Sequence, residues 1–177
     1  GFTQNRAWAY KNGKFAVIDR NGKQWTDFVF ENPDAFQPNG YALARKGGFY
    51  LLVDTLGRTS QEYDYLFPTN HSCYKVRKEK KYSFVNFKGE LLPNAGWYES
   101  IDTFCSGLAI VTKESKQGFI NSKGVEVIKP GFNGAMPYSG GLAWAANESN
   151  KWGLIDQKGE FVTPQVFSSG MFIKPGL

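Results

Sequence analysis

The sequence predicts an all-β fold of tandem antiparallel meanders, and three observations carry that prediction. A nine-residue frame recurs five times, at residues 14–22, 49–57, 81–89, 116–124 and 151–159. Its closing glycines stand at positions 22, 57, 89, 124 and 159, at intervals of 35, 32, 35 and 35 residues. A near-constant period of this size marks a repeat architecture. No segment places apolar residues at the 3.6-residue spacing of an amphipathic helix, so almost no helix is expected. The 177 residues then read as one β-repeat domain over 1–177, five copies long and incomplete at both ends. Three-stranded meanders of one period each are expected to stack as a solenoid-like array. A closed propeller-like ring is the alternative, although propeller blades hold four strands in about 40 residues or more.

The end of each frame is a turn. Asp19, Asp54, Asn86, Asn121 and Asp156 each stand three residues before the glycine. An Asx side chain accepts a hydrogen bond from a backbone N–H further on, and glycine takes positive φ without steric cost. Together they close a hairpin whose loop is a type I turn followed by a left-handed glycine bulge. Asn replaces Asp in two of five copies, so these carboxylates read as turn caps and not as acid–base or calcium groups. The pair before the Asx is apolar in every copy, from Val17-Ile18 to Leu154-Ile155, which reads as strand. Just before that pair, Ala16, Ser83, Gly118 and Gly153 are small. They imply close packing by another backbone or a large ring.

In chain order, residues 5–10 read as a strand and Lys11-Asn12-Gly13 as a hairpin turn. Residues 15–18 follow as a second strand and 25–30 as a third. Residues 32–40 carry two prolines and form a connector. The second copy opens at residues 41–44, turns at Lys46-Gly47-Gly48 and continues over 50–53. A shorter connector over 67–72 accounts for the one interval of 32. Residues 74–76 and the basic turn 77–81 open the third copy, and Pro93 and Pro130 interrupt later strands. The stretch 167–173 reads as the opening strand of a further unit. Starting at Gly1, the chain reads as an excised domain or mature product. Its compartment stays unassigned, a secreted or cell-envelope setting being the working expectation.

These units resemble the bacterial WG-repeat family, also called KWG repeats, with the pattern K-W-G-[FLY]-I-[DN]-x-x-G, then V-I-x-P, then F-x-x-G-L-A-x-V. The fifth copy carries Lys151-Trp152-Gly153, then Phe161-Val162-Thr163-Pro164. The fourth carries Gly118-Phe119-Ile120-Asn121, Val127-Ile128-Lys129-Pro130 and Gly141-Leu142-Ala143. The third contributes Phe104-Cys105-Ser106-Gly107-Leu108-Ala109-Ile110-Val111. In the first two, Phe15 and Tyr50 stand where Trp is expected, and neither is followed by Gly. The resemblance covers nearly the whole chain. It implies a repeat scaffold and no common activity.

Nothing in the residues assembles a reaction centre. The single histidine, His71, lies in a loop, and no serine stands in a strand-elbow-helix context. One His and two Cys 32 residues apart supply none of the close pairs that zinc sites use. Cys73 and Cys105 read as two buried thiols in preference to a disulfide, because their offsets from the following Asn differ. Glu31, Asp34, Glu99 and Asp102 read as connector carboxylates without a clear partner. No glycine cluster cradles a phosphate, no cofactor is expected, and no apolar run is long enough to span a membrane.

The charge pattern points elsewhere. Net charge is +5 and the pI near 9.1. Lys81, Lys116 and Lys151 share one frame position, and Lys88, Lys123 and Lys158 share another. Repetition would make these two rows of cations able to follow a linear polyanion, with Tyr82 and Trp152 adding stacking. The same lysines would equally keep strand edges solvated, and no nucleic-acid motif is present. The expected function is a non-catalytic interaction module for a protein, peptide or cell-envelope glycan. The alternatives are a spacer or accessory domain of a larger envelope or secreted protein, and, more remotely, a hydrolase.

Overall fold

The computed structural model describes residues 1–69 and 73–170. His71 and the end of the stretch expected as a final strand lie outside them. Among the described residues every regular element is β. The chain divides into two compact units, Gly1–Glu79 with Phe84–Leu91 and Lys80–Ser83 with Leu92–Leu177.

In the first unit, β1 (Arg6–Lys11) pairs with β2 (Lys14–Asp19) and β3 (Tyr41–Lys46) with β4 (Phe49–Asp54). Next come β5 (Tyr65–Pro68), β6 (Cys73–Lys78) and β7 (Lys81–Asn86), adjacent in that order, with residues 84–86 of β7 in this unit. Asn12-Gly13 and Gly47-Gly48 have φ of 51°, 81°, 60° and 91°, as a two-residue type I′ hairpin requires. In the second unit, β8 (Ser100–Ile101), β9 (Leu108–Lys113), β10 (Lys116–Asn121) and β11 (Glu126–Phe132) form one sheet in the order β11-β10-β9-β8. A smaller sheet holds β12 (Gly134–Ala135), β13 (Ala143–Ala146) and β14 (Trp152–Ile155).

Two features differ from the three-stranded meander expected. The fullest sheet has four strands, because the tail of one copy runs on to pair with the opening strand of the next. Ser100 thus faces Thr112 across β8 and β9, as Glu31 bridges to Arg45 and Gly134 to Ala146. One period therefore feeds two sheets, which reconciles four strands with about 35 residues. The third strand of the first copy is also broken into bridges, Ile18 to Gln24 and Phe15 to Phe30. Between them the Val17 N–H donates to the Thr26 hydroxyl at 3.0 Å instead of to a carbonyl. Leu52 does the same to Ser60 at 3.0 Å and Leu154 to Thr163 at 2.8 Å. Only the fourth copy keeps a continuous strand here, with register shifts in its pairing to β10.

The turn chemistry is uniform. In all five frames the Asx Oδ1 accepts the N–H two and four residues on, at 2.8–3.1 Å. Each turn glycine donates back to the Asx carbonyl at φ between 78° and 84°. The small residues before the apolar pair also meet their expected neighbour. A Cβ on Gly118 would lie 2.5 Å from the Ile128 carbonyl oxygen and from the Pro130 nitrogen.

The turn glycines have a second task. A Cβ on Gly57 would lie 2.3 Å from Thr26 Cγ2, on Gly89 2.2 Å from Ser60 Cβ, on Gly124 3.0 Å from Leu92 Cβ, and on Gly159 2.9 Å from Ile128 Cγ2. Each of these turns rests on the third strand of the preceding copy, whereas Gly22 has nothing within 4 Å. Apolar side chains fill the space between copies. Val17, Phe30, Phe36, Leu51 and Val53 cluster in the first unit, and Ile110, Phe119, Ile128, Tyr138 and Ile155 in the second.

Candidate functional site

The lysines of the two expected rows occupy two kinds of position. Lys88, Lys123 and Lys158 are exposed, and their backbone N–H groups donate to the Asx caps of their own turns. Lys81 and Lys151 are exposed as well, but Lys116 is half-buried. Its Nζ donates to Asn133 Oδ1 at 2.5 Å. Lys14, at the same frame position, pairs with Glu31. The leading lysine of the frame is thus used, in two copies, to tie down the exit of its own copy. Tyr82 and Trp152 are half-buried. The Trp152 ring lies over Gly134, where a Cβ would come within 2.9 Å of it.

A different set of rings and cations comes together in the first unit. On β5 and β6, Tyr65 stands directly opposite Arg77 and Phe67 opposite Lys75. On β3 and β4, Arg45 stands opposite Tyr50. Directly opposed residues of an antiparallel pair share a face and touch, and alternation brings Tyr65 and Phe67 to the same side. Tyr50 and Tyr65 stack at 5.6 Å between centroids, and Tyr65 and Phe67 at 5.7 Å. Each ring carries a cation: Arg45 lies 5.1 Å from the Tyr50 centroid, Arg77 4.2 Å from Tyr65, and the Lys75 ammonium 5.6 Å from Phe67. Tyr65 and Phe67 are nevertheless 40% and 41% exposed, so this ladder meets solvent.

Two carboxylates, Asp64 and Glu31, lie near its guanidinium groups. Among the described residues the Nε atoms of Arg45 and Arg77 are buried without a hydrogen-bond partner. Asp64 stays 3.9 Å from Arg77 Nε, too far for a hydrogen bond. At that distance Asp64 still forms a long ion pair with Arg77. Glu31 is already engaged: the Lys14 ammonium, by hydrogen bond and by charge, holds its carboxyl below the usual range, and Arg45 adds a smaller effect.

The connector carboxylates are better occupied than expected. Glu31 pairs with Lys14, and both oxygens of Glu99 accept N–H groups of the next turn, Glu114 at 2.9 Å and Ser115 at 3.2 Å. That turn places two non-glycine residues at φ of 52° and 60°, and Glu99 offsets the strain. Cys73 and Cys105 are both free; Cys73 is buried, but Cys105 is exposed, not buried as expected. Burial raises the Cys73 thiol, with a Thr69 hydrogen bond opposing. Among the described residues no group of three His, Cys, Asp or Glu is placed to hold a metal ion.

A family model described as WG containing repeat matches residues 16–50, 118–150 and 152–173, just over half of the chain. No curated protein matches it. Among solved structures, Hsv2p of Kluyveromyces lactis is similar with a TM-score of 0.39 and 11% identity, over 91% of this chain and 60% of that one. The dihydro-heme d1 dehydrogenase NirN in complex with DHE is similar with a TM-score of 0.37 and 11% identity, over 94% and 44%. A protein of unknown function from Bacteroides caccae has a TM-score of 0.32 and 17% identity, over 89% and 76%. The chain spans less than two thirds of the length of the first two.

Proposed function

Because this chain belongs to the WG-repeat family, we propose that it is a non-catalytic interaction module whose first unit docks an acidic segment of a partner protein or peptide. The ladder of Tyr50, Tyr65 and Phe67 with Arg45, Lys75 and Arg77 carries this reading. Tyrosine and arginine dominate the energetics of protein interfaces, since they bring large contact area and hydrogen-bond donors together. Guanidinium groups held over rings have already lost much of their rotamer freedom, so less is lost on binding. Their remaining N–H edges suit carboxylates, which they can bind bidentately.

Selection of a displayed random-peptide library against the full chain tests it. Enriched peptides carry Asp or Glu, and Tyr65→Ala and Arg77→Ala each weaken their binding about ten-fold or more. Equal binding to the wild type and both variants would refute the reading, and a library that yields no enriched peptide favours the spacer.

Exposure of Lys81, Lys88, Lys123, Lys151 and Lys158 supports a second reading, a linear polyanion following the lysine rows, from which Lys116 is partly withdrawn by Asn133. Heparin retention that survives replacement of those five lysines by Gln would exclude it. For the scaffold, the four-stranded sheet supports blade-like copies and so the propeller-like alternative over the open array. Small-angle scattering of the full chain distinguishes the two.

A further inference from the structure

Four Asn-Gly pairs occur in the chain: Asn12-Gly13, Asn21-Gly22, Asn39-Gly40 and Asn133-Gly134. Asparagine is among the chemically labile residues. A following glycine, with no Cβ, lets its own nitrogen approach the side-chain amide carbon. The four pairs share that sequence but not the same surroundings. We propose that Asn12, at the tip of the first hairpin, is a site of spontaneous modification, converted to aspartate and isoaspartate while the protein stays folded.

The reaction is an internal acyl transfer. The Gly13 backbone nitrogen attacks Asn12 Cγ, the new C–N bond closes a succinimide ring, and the Cγ–Nδ2 bond breaks. Nδ2 leaves as ammonia, carrying the proton that Gly13 gives up. Water then adds to one of the two succinimide carbonyls. Opening on one side restores the main chain with an aspartate, and opening on the other routes the main chain through the side-chain carbon as isoaspartate.

The step needs a backbone nitrogen not committed to an acceptor and a side chain able to turn towards it. Asn12 and Gly13 are both exposed. Among the described residues neither the Asn12 side chain nor the Gly13 N–H has a hydrogen-bond partner. A Cβ on Gly13 would meet nothing within 4 Å, so the loop has room to open. Asn12 also sits at a φ of 51°, a left-handed conformation that costs an L residue energy and that opening relieves.

The other three pairs are held. Gly22 donates its N–H to the Asp19 carbonyl at 3.1 Å, as part of its Asx turn. Gly40 is buried and donates to the Gln37 carbonyl at 2.8 Å, while Asn39 Oδ1 accepts the Tyr41 N–H at 3.0 Å. Asn133 is pinned at both ends of its amide. Its Oδ1 accepts from Lys116, and its Nδ2 donates to the Glu148 carbonyl at 3.0 Å and to Asn150 Oδ1 at 2.9 Å. Each must break at least one hydrogen bond before the ring can close. The two products at Asn12 differ in consequence. Asp-Gly suits the same turn, whereas isoaspartate lengthens the main chain by one carbon in a two-residue loop that closes Lys11 onto Lys14.

Storage of the full chain in neutral buffer at physiological temperature, followed by peptide mapping, tests this. Chymotryptic cleavage after Tyr10 and Phe15 isolates Asn12, and fragmentation in the mass spectrometer locates the amide-to-acid mass gain. Asn12 should convert about ten-fold faster than each of the other three, the effect of one hydrogen bond that need not be broken first. In concentrated urea, where no turn holds its glycine, Asn12 should lose most of that lead. Asn12→Gly, which suits the same turn, should leave the other three rates unchanged. The proposal is overturned if Asn12 converts no faster than the others in the folded chain, or if no site converts. A lead that persists undiminished in urea overturns it too, because it would then come from the neighbouring sequence and not from the hairpin.

Discussion

The contact between copies makes a quantitative prediction at two equivalent glycines. Gly22 and Gly57 have the same φ, 79° and 78°, and close the same turn. Replacing either with Ala forces an L side chain into the left-handed region, a cost of about 1–2 kcal/mol. There the equivalence ends. At Gly22 the new methyl meets nothing within 4 Å, whereas at Gly57 it would lie 2.3 Å from Thr26 Cγ2 and 3.3 Å from the Trp25 carbonyl oxygen. Thr26 cannot rotate away freely, because its Oγ1 holds the Val17 N–H at 3.0 Å. Overpacking of this kind adds about 1–3 kcal/mol. Gly57→Ala should therefore cost about 2–5 kcal/mol and Gly22→Ala about 1–2. Urea unfolding measures both, and all three residues lie in one compact unit, so one transition reports them. Thr26→Ser keeps the hydroxyl and removes the clashing methyl, so combined with Gly57→Ala it should recover most of the excess. The coupling energy of that cycle should be about 1 kcal/mol or more. Equal losses at Gly22 and Gly57, or strictly additive behaviour of Gly57→Ala and Thr26→Ser, would refute the seating of one copy on the next.

Other consequences follow from single contacts. Asp156→Ala removes the acceptor of two backbone N–H groups and should lower stability by about 1–2 kcal/mol, whereas Asp156→Asn should change it by under about 0.5 in urea unfolding. Ser115→Gly relieves a φ of 60° and should raise stability by about 0.5–1 kcal/mol; an unchanged or lower midpoint would contradict that strain. The Tyr138 phenol, pushed up to about 12 by burial and then by the Asp156 charge, makes a pH prediction. Its folded pKa exceeds the ordinary value, so the stabilisation is full below about pH 10 and is lost as pH rises towards 12. Urea midpoints at pH 9, 10 and 11 should fall more steeply in the wild type than in Tyr138→Phe.

What could be read in the chain was local. Each Asx turn lies within six residues, so composition at fixed offsets was enough to specify it. The broken third strand depends on a hydroxyl nine residues from the N–H it captures, a contact that alternation does not encode. The entry strands were hidden by their shortness: Ser100–Ile101 and Gly134–Ala135 are two residues each and acquire meaning only by pairing. The leading lysines did leave a trace. Lys14 to Glu31 and Lys116 to Asn133 are both separated by 17 residues, an interval that marks them as ties within a copy. For the ladder, Tyr65-x-Phe67 facing Lys75-x-Arg77 is an alternating pair of patterns, but its third ring and cation come from another hairpin, which only the fold brings alongside.

The division of labour within the period explains why the proposed docking face falls on its irregular positions. The Asx, the glycine and the small residue recur because each satisfies or clears backbone, and the turn glycines after the first are consumed again by the copy before them. One lattice point behaves differently. Across the first hairpin of a copy, Tyr10 faces Phe15, Arg45 faces Tyr50, Thr112 faces Gln117 and Ala146 faces Trp152. All four stand at the same paired position, although the loop of the fifth copy is one residue longer, so the fold tolerates a ring, a guanidinium, a hydroxyl or a methyl there, and selection on such a point acts through what it touches outside. Arg45 and Tyr50 take part in an exposed cation–ring row because of the residues that β5 and β6 bring beside them, not because of their place in the frame. A partner that reads this chain should therefore distinguish the second copy from the fourth, and exchanging Arg45 and Tyr50 for the Thr and Gln of the fourth should remove binding while the repeat still folds.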